Sequence, residues 1–265
     1  VTCPARRTGL AALLTALTAL TACAPSSAAH EPSWLPRDAR LSAPSTAEWR
    51  AARRALAELR EQSRSPRTLQ IALTLREPTT GRVLEARGAA ALAPPDALRM
   101  ILLGPGGTTA LDLWIKGERY RFAVPAIELT KRGDTRAPAA ERRGLPVDFL
   151  RAFLLRPAEG QLLWAEREGT AMRYLLRDGE TLVDLRSFEH KRIEMRRSTW
   201  TSERPGAPVH LLDRETVSAA GLGCAEVRYR QASTGLEVHV RCEGERAGTP
   251  NPRAFADPDA AEEVP

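Results

Sequence analysis

The feature that most constrains this chain is alternation. From Leu69 onward, inward and outward side chains take turns in one short run after another. Leu69, Ile71, Leu73 and Leu75 share a face against Gln70, Ala72 and Thr74, and Leu84, Ala86, Gly88 and Ala90 share one against Glu85 and Arg87. Leu98, Met100 and Leu102 stand opposite Arg99. Leu111, Leu113 and Ile115 stand opposite Asp112 and Lys116, and Tyr120, Phe122 and Val124 opposite Arg119 and Arg121. Period two puts successive side chains on opposite faces of a strand, so each run predicts a strand with one buried face. Pro78-Thr79-Thr80-Gly81, Pro94-Pro95-Asp96, Gly104-Pro105-Gly106-Gly107 and Lys116-Gly117-Glu118 separate them as turns. That makes about five antiparallel strands in a meander. Seven more are expected near 161–166, 171–177, 181–186, 191–197, 209–213, 223–231 and 236–242.

Two segments have helical spacing instead. Ser45-Thr46-Ala47-Glu48 is a capping box, and Trp49, Ala52, Leu56 and Leu59 follow on one stripe as far as about Gln62. Leu145 to Arg156 is strongly apolar, with Pro146 at its start and Pro157 at its end. The predicted class is mostly β with a few helices, an open and strongly curved antiparallel sheet. The second helix is too apolar for an outer surface and is expected on the concave side. Periodicity by itself fits a filled core better than a ligand container. Residues 126–145 read as irregular, and 244–265, rich in Pro, Ala and acids, as a disordered tail.

The start of the chain reads as an export signal. Arg6 and Arg7 precede an uncharged run from Thr8 to Ala19, too short for a comfortable membrane span. Val1 is expected to be an initiator residue encoded by GTG. Leu20-Thr21-Ala22-Cys23 resembles the lipobox of bacterial lipoproteins, which implies cleavage after Ala22 and acylation of Cys23. Ala24, in place of Asp, favours the outer membrane under the sorting rule of enteric bacteria. The alternative is an ordinary secretory signal cut after Ala22 or near Ala28-Ala29, leaving a soluble protein. The expected organisation is therefore a signal peptide over 1–22, lipidated Cys23 with a Pro-, Ser- and Ala-rich tether to 44, and a folded domain over 45–243. Of four cysteines, Cys224 and Cys242 remain in that domain. They flank two strand-like runs, and if Gln231 faces Gly235 then Cys224 faces Cys242. A cross-strand disulfide in an oxidising compartment is one reading, and two buried thiols the other.

Composition narrows the function. Lys and Arg exceed Asp and Glu by 6, yet aromatic residues are only 5%, too few for a base-stacking surface. The chain has no Ser-hydrolase elbow, no zinc-protease helix motif and no phosphate-binding loop ahead of a helix. Its histidines are scattered, so neither a metal nor a cofactor is expected. Asp112 reads as a solvated outward residue. The charged run from Lys191 to Arg197 reads as a polar strand face able to touch anionic head groups.

Two stretches carry a family resemblance. Leu98 to Leu111, through Gly104-Pro105-Gly106-Gly107, resembles the strand–loop–strand of the LolA/LolB-like lipoprotein carriers, and Gly144-Leu145-Pro146 to Leu155 looks like their Gly-x-Pro helix. The lipoprotein signal matches the outer-membrane receptor (LolB-like) branch, over roughly residues 45–243. The resemblance implies an open half-barrel with a helical lid, no catalysis, and an apolar cavity for lipid or lipoprotein acyl chains. Its wall would be Leu69, Ile71, Leu73, Met100, Leu102, Leu111, Leu113 and Phe122, and its lid Phe149, Leu150 and Phe153. The implied role is a monomeric, lipid-anchored, periplasm-facing outer-membrane protein in lipoprotein localisation. One departure stands out. The receptor branch has an exposed apolar residue where this chain has Gly106, so the loop lacks a membrane-contacting side chain. The alternative is a structural or assembly lipoprotein that grips a protein partner on its concave face.

Overall fold

The computed structural model describes residues 45–77, 80–189, 192–202 and 207–260. The expected signal peptide over 1–22, Cys23 and the expected tether to residue 44 lie outside the described residues. Alternating sequence becomes one antiparallel sheet of thirteen strands. The first meander is β1 (Arg67–Arg76), β2 (Val83–Ala93), β3 (Ala97–Leu103), β4 (Thr109–Lys116), β5 (Arg119–Val124) and β6 (Leu129–Asp134). The second is β7 (Gln161–Glu168), β8 (Ala171–Asp178), β9 (Thr181–Phe188), β10 (Ile193–Thr201), β11 (His210–Ala219), β12 (Glu226–Gln231) and β13 (Glu237–Ala247).

The spatial order is β6-β5-β4-β3-β2-β1-β13-β12-β11-β10-β9-β8-β7. Each meander is a run of hairpins, and the two are joined edge to edge by the pairing of β1 with β13. The free edges of the sheet are therefore β6 and β7, which are consecutive in sequence. The chain between them must pass from one edge of the sheet to the other. It carries the second helix, α2 (Val147–Leu154).

Inward side chains from strands of both meanders and from α2 join in one hydrophobic cluster. A flat sheet of this width could not bring such distant strands to one helix, so the sheet curls around it. The inner face is thus a half-barrel with α2 inside its open side. Gly88 marks a tight point in the wall, because a Cβ there would meet the Ile101 carbonyl oxygen at 2.1 Å. The first helix, α1 (Thr46–Glu61), starts at the expected capping box. The Ser45 hydroxyl accepts from the Glu48 amide at 3.3 Å, and the Glu48 carboxylate accepts from the Ser45 amide at 2.8 Å. Its buried stripe is Ala52, Leu56 and Leu59, packed beside β7.

Three sequence expectations need correction here. The segment 126–145 contains β6, a fully hydrogen-bonded partner of β5. Its side chains are almost all exposed, so it has no apolar alternation to betray it. Residues 244–260 are not a disordered tail; residues 261–265 lie outside the described residues. The strand continues to Ala247, and a short 3₁₀ turn at Pro252–Phe255 lies on the outer face. There the Trp114 indole nitrogen donates to the Phe255 carbonyl at 3.1 Å. Beyond it, Arg132 donates to both oxygens of Asp257, and Arg121 and Arg132 donate to Asp259. Asp112, expected in solvent, is instead held between Arg99 and Arg121 with its side chain 17% exposed.

Candidate functional site

The sheet's inner face and α2 together bring the predicted cavity residues to one place. Leu69, Ile71 and Leu73 come from β1, Met100 and Leu102 from β3, Leu111 and Leu113 from β4, and Phe122 from β5. All eight are at most 2% exposed. The alternation of each strand aims them at the same side, and the hairpin register aligns them: Met100 faces Leu113, Leu102 faces Leu111, and Leu113 faces Phe122. The predicted lid residues Phe149, Leu150 and Phe153 meet them from above. Five of the eight residues of α2 are buried: Val147, Phe149, Leu150, Phe153 and Leu154. The Phe149 ring stacks on Tyr229 of β12 at 4.2 Å and lies 6.0 Å from Phe153. One helix thus plugs the space between the two meanders.

This face is closed to solvent. Two large clefts open elsewhere among the described residues, and none of the eleven predicted acyl-contacting residues lines either. One cleft, of about 620 Å³, crosses the outer face of the second meander. The other, of about 630 Å³, opens beside α2 and is polar, lined by Arg136, Arg142, Asp148, Arg197, Glu215 and Gln231 among others.

Polar ties hold α2 on both flanks. Arg142 places its Nε 2.9 and 3.0 Å from the two oxygens of Asp148, in the first turn. Arg197 of β10 donates to the Asp148 carbonyl at 3.3 Å. Arg151 donates to Glu118 at 2.7 Å, and Arg156, just past the helix, donates to the Pro95 carbonyl at 3.0 Å and to Asp96 at 3.1 Å. Arg60 of α1 donates to the carbonyls of Ala158 and Gly160 at 2.8 and 2.6 Å, fixing the exit of the segment. Gly160 itself has φ +115°, and a Cβ would lie 2.7 Å from the Arg177 carbonyl oxygen, so only glycine fits.

Under the helix lies a polar group that sequence reading missed. Arg197 and Glu215, facing each other on β10 and β11, are both turned inward and buried, with Nε and Oε2 3.6 Å apart. The Tyr229 hydroxyl donates to Glu215 at 2.7 Å. Burial pushes the Glu215 carboxyl up, while Arg197 and the Tyr229 hydroxyl pull it back down. Burial also raises the Tyr229 hydroxyl, and the adjacent Glu215 raises it further. The Lys191–Arg197 run is therefore not simply an outward polar face: Ile193, Met195 and Arg197 all point in. The one available signal was parity, since Arg197 falls in step with Ile193 and Met195.

Cys224 and Cys242 are disulfide-bonded, with Cα atoms 5.0 Å apart. The strand register is one residue out of the expected frame. Val227 faces Val240 rather than His239, and at the hairpin end the Gln231 amide donates to the carbonyl of Leu236 while the Gln231 carbonyl accepts from the Gly235 amide, both at 2.9 Å. Cys224 lies ahead of β12 and reaches Cys242 where a bulge against β1 interrupts the ladder after Gln70. Gly106 has φ +85°, so the backbone of the 104–107 loop favours glycine there. Ile101 and Leu103 of β3, just ahead of that loop in sequence, are exposed apolar side chains.

No protein-family model and no curated protein matches this chain. Among solved structures it is similar to the LolA superfamily protein NE2245 from Nitrosomonas europaea, at 10% identity and a TM-score of 0.45, over 77% of this chain and 97% of that one. It is similar to a putative outer membrane lipoprotein-sorting protein domain from Vibrio parahaemolyticus, at 11% identity and a TM-score of 0.44, over 77% and 97%. A third similar structure is a DUF1329 family protein from Desulfovibrio piger, at 10% identity and a TM-score of 0.45, over 78% and 96%. At such distances the architecture rests on this chain's own strands: an open antiparallel half-barrel whose inner face is covered by a helix.

Proposed function

We propose that this chain is a non-enzymatic lipoprotein of the cell envelope that holds an acyl chain of a lipid or lipoprotein between the inner sheet face and α2. The observation that carries this reading is the cover itself. A wide apolar face is closed by a single eight-residue helix on a connection that runs from one sheet edge to the other. In the closed form Phe149, Leu150 and Phe153 occupy the place a guest would take. Entry therefore requires α2 to be displaced, with the guest replacing its side chains. The energies are comparable. Each buried large apolar side chain contributes about 1.5–3 kcal/mol, and a guest burying roughly ten methylenes gains about 8 kcal/mol. Exchange of helix for guest is then close to balanced, as a transient carrier requires.

Cleavage after Ala22 and acylation of Cys23 would anchor the chain in the outer membrane, facing the periplasm, as in the receptor branch of the lipoprotein carriers. Two or more acyl chains suffice for stable anchoring. The rival reading, a protein partner gripped on the concave face, would likewise require α2 to be displaced. Delipidated protein is expected to bind a fluorescent fatty-acid probe, and Phe153→Asp to weaken that binding. Failure of the folded wild-type chain to bind the probe would remove the proposal.

A further inference from the structure

The outer cleft is built from strand register. Across the spatial order β1, β13, β12, β11, β10, β9, cross-strand pairing aligns Thr74, His239, Arg228, Ser218, Glu194 and Arg186 in one row. Two residues along each strand, it aligns Arg76, Glu237, Arg230, Thr216, Arg196 and Asp184 in a second row. Both rows line the cleft. Between them, on the four middle strands, lie Met195, Val217, Tyr229 and Val238, whose side chains are buried in the core, so their backbone forms the floor. The hollow exists because β11 contributes only short side chains, Thr216 and Ser218. Long ones flank it on β10 and β12.

The trough is cationic. It has five arginines against three carboxylates, and Asp184 is already tied to Arg173 by two bonds of 2.9 Å. Arg76 and Arg196 form no ion pair among the described residues. Arg228 pairs with Glu226 at 3.1 Å, Arg186 with Glu168 at 3.4 Å and Arg230 with Glu237 at 3.8 Å, all well exposed. Such pairs contribute little and exchange readily for an incoming carboxylate. Arginine forks suit carboxylates, and the Thr216 and Ser218 hydroxyls can hydrogen-bond an extended backbone. Six strands at about 4.8 Å make the trough roughly 24 Å long, the span of about seven extended residues. A flat bilayer would touch the arginine rims but not the recessed floor. Nucleic acid would find no stacking platform, because Tyr229, the aromatic residue of the lining, is 2% exposed and stacked on Phe149 on the inner side.

We propose that this trough binds an extended acidic segment of a partner protein, its carboxylates set against Arg76, Arg196, Arg228 and Arg230. The site lies on the face opposite α2 and does not depend on acyl binding.

The test uses the full chain and a fluorescein-labelled peptide of four Glu-Gly repeats, followed by fluorescence anisotropy, with the Lys-Gly peptide as control. Saturable binding of the acidic peptide alone is expected, weakening as salt rises. The charge-reversed double variant Arg76→Glu/Arg196→Glu should weaken it at least about tenfold. Ser218→Tyr, which fills the floor without changing charge, should weaken it at least about threefold. Thermal melts of both variants should match the wild type, since all three positions are exposed. Absence of saturable binding would overturn the proposal, as would equal affinity in both variants. Vesicles containing phosphatidylglycerol that bind through Arg76 and Arg196 while the peptide does not would also overturn it and assign the surface to membrane contact.

Discussion

The inner face of the first meander and that of the second do different work under the same helix. From β1 to β5 the wall beneath α2 is apolar over Ile71, Met100, Leu113 and Phe122. From β9 to β12 it changes along the strands: Val183, Leu185, Met195 and Val217 give way to Thr181, Thr199, Arg197, Asp213, Glu215 and Gln231. The apolar wall rewards any greasy occupant equally, whether α2 or a guest. The polar end discriminates, because its groups are satisfied by particular partners on or near the helix: the Asp148 carbonyl for Arg197, and the Gly144 amide for Gln231. The first meander therefore supplies burial without specificity, and the second fixes where the cover sits.

The sharpest way to break this contrast is at the buried pair. Arg197→Met should leave the Glu215 carboxylate without its counter-charge and cost about 3–5 kcal/mol in a urea titration. Adding Glu215→Leu should return most of that loss. If the single variant costs under about 1 kcal/mol, the polar end is not the anchor described. The next largest effect is expected at the disulfide within the second meander. Replacing Cys224 and Cys242 by Ser removes a bond of sequence separation 18 and should cost about 3 kcal/mol through unfolded-state entropy. The same loss should appear in wild-type protein on reduction.

The smallest expected effect sharpens the role of the flanking ties. Glu118 accepts from the Thr135 hydroxyl, whose bond holds its carboxyl below the ordinary range. Burial opposes this, and Arg151 and Arg156 reinforce it. A carboxyl whose folded pKa is depressed contributes stability above its unfolded pKa and loses it as pH falls through the folded value. Glu118→Gln should therefore cost about 1 kcal/mol at neutral pH. It should also flatten the acid limb of the stability profile below the ordinary glutamate range. An unchanged acid limb would show that Glu118 does not tie α2.

What could be read in advance follows from burial. Strands with one wet and one dry face, such as β1 and β3, announce themselves by alternation. The α1 capping box and the apolar α2 were legible because local spacing alone produces them. β6 was not legible, because an exposed edge strand beside β5 needs only backbone hydrogen bonds. The 252–255 turn was not, because its contact with Trp114 spans more than a hundred residues of chain. The cystine pair was legible as a pairing but misread in register, since the hairpin closes with Gln231 against Leu236, one residue beyond Gly235, and the local sequence of the turn does not fix that loop length.

For the candidate site, the sequence by itself determined which apolar side chains share a face, because period-two alternation fixes side-chain direction within each strand. It also fixed that a helix too apolar for solvent lies between two sets of strands. Only the tertiary structure decided that β1 joins β13, that the sheet edges fall at β6 and β7, and that their connection lays α2 across the half-barrel. It alone set Arg197 against Glu215 and aligned two rows of charge into an outer trough. Those outcomes depend on pairing between distant strands, and a register is a property of two segments together, which neither segment encodes alone.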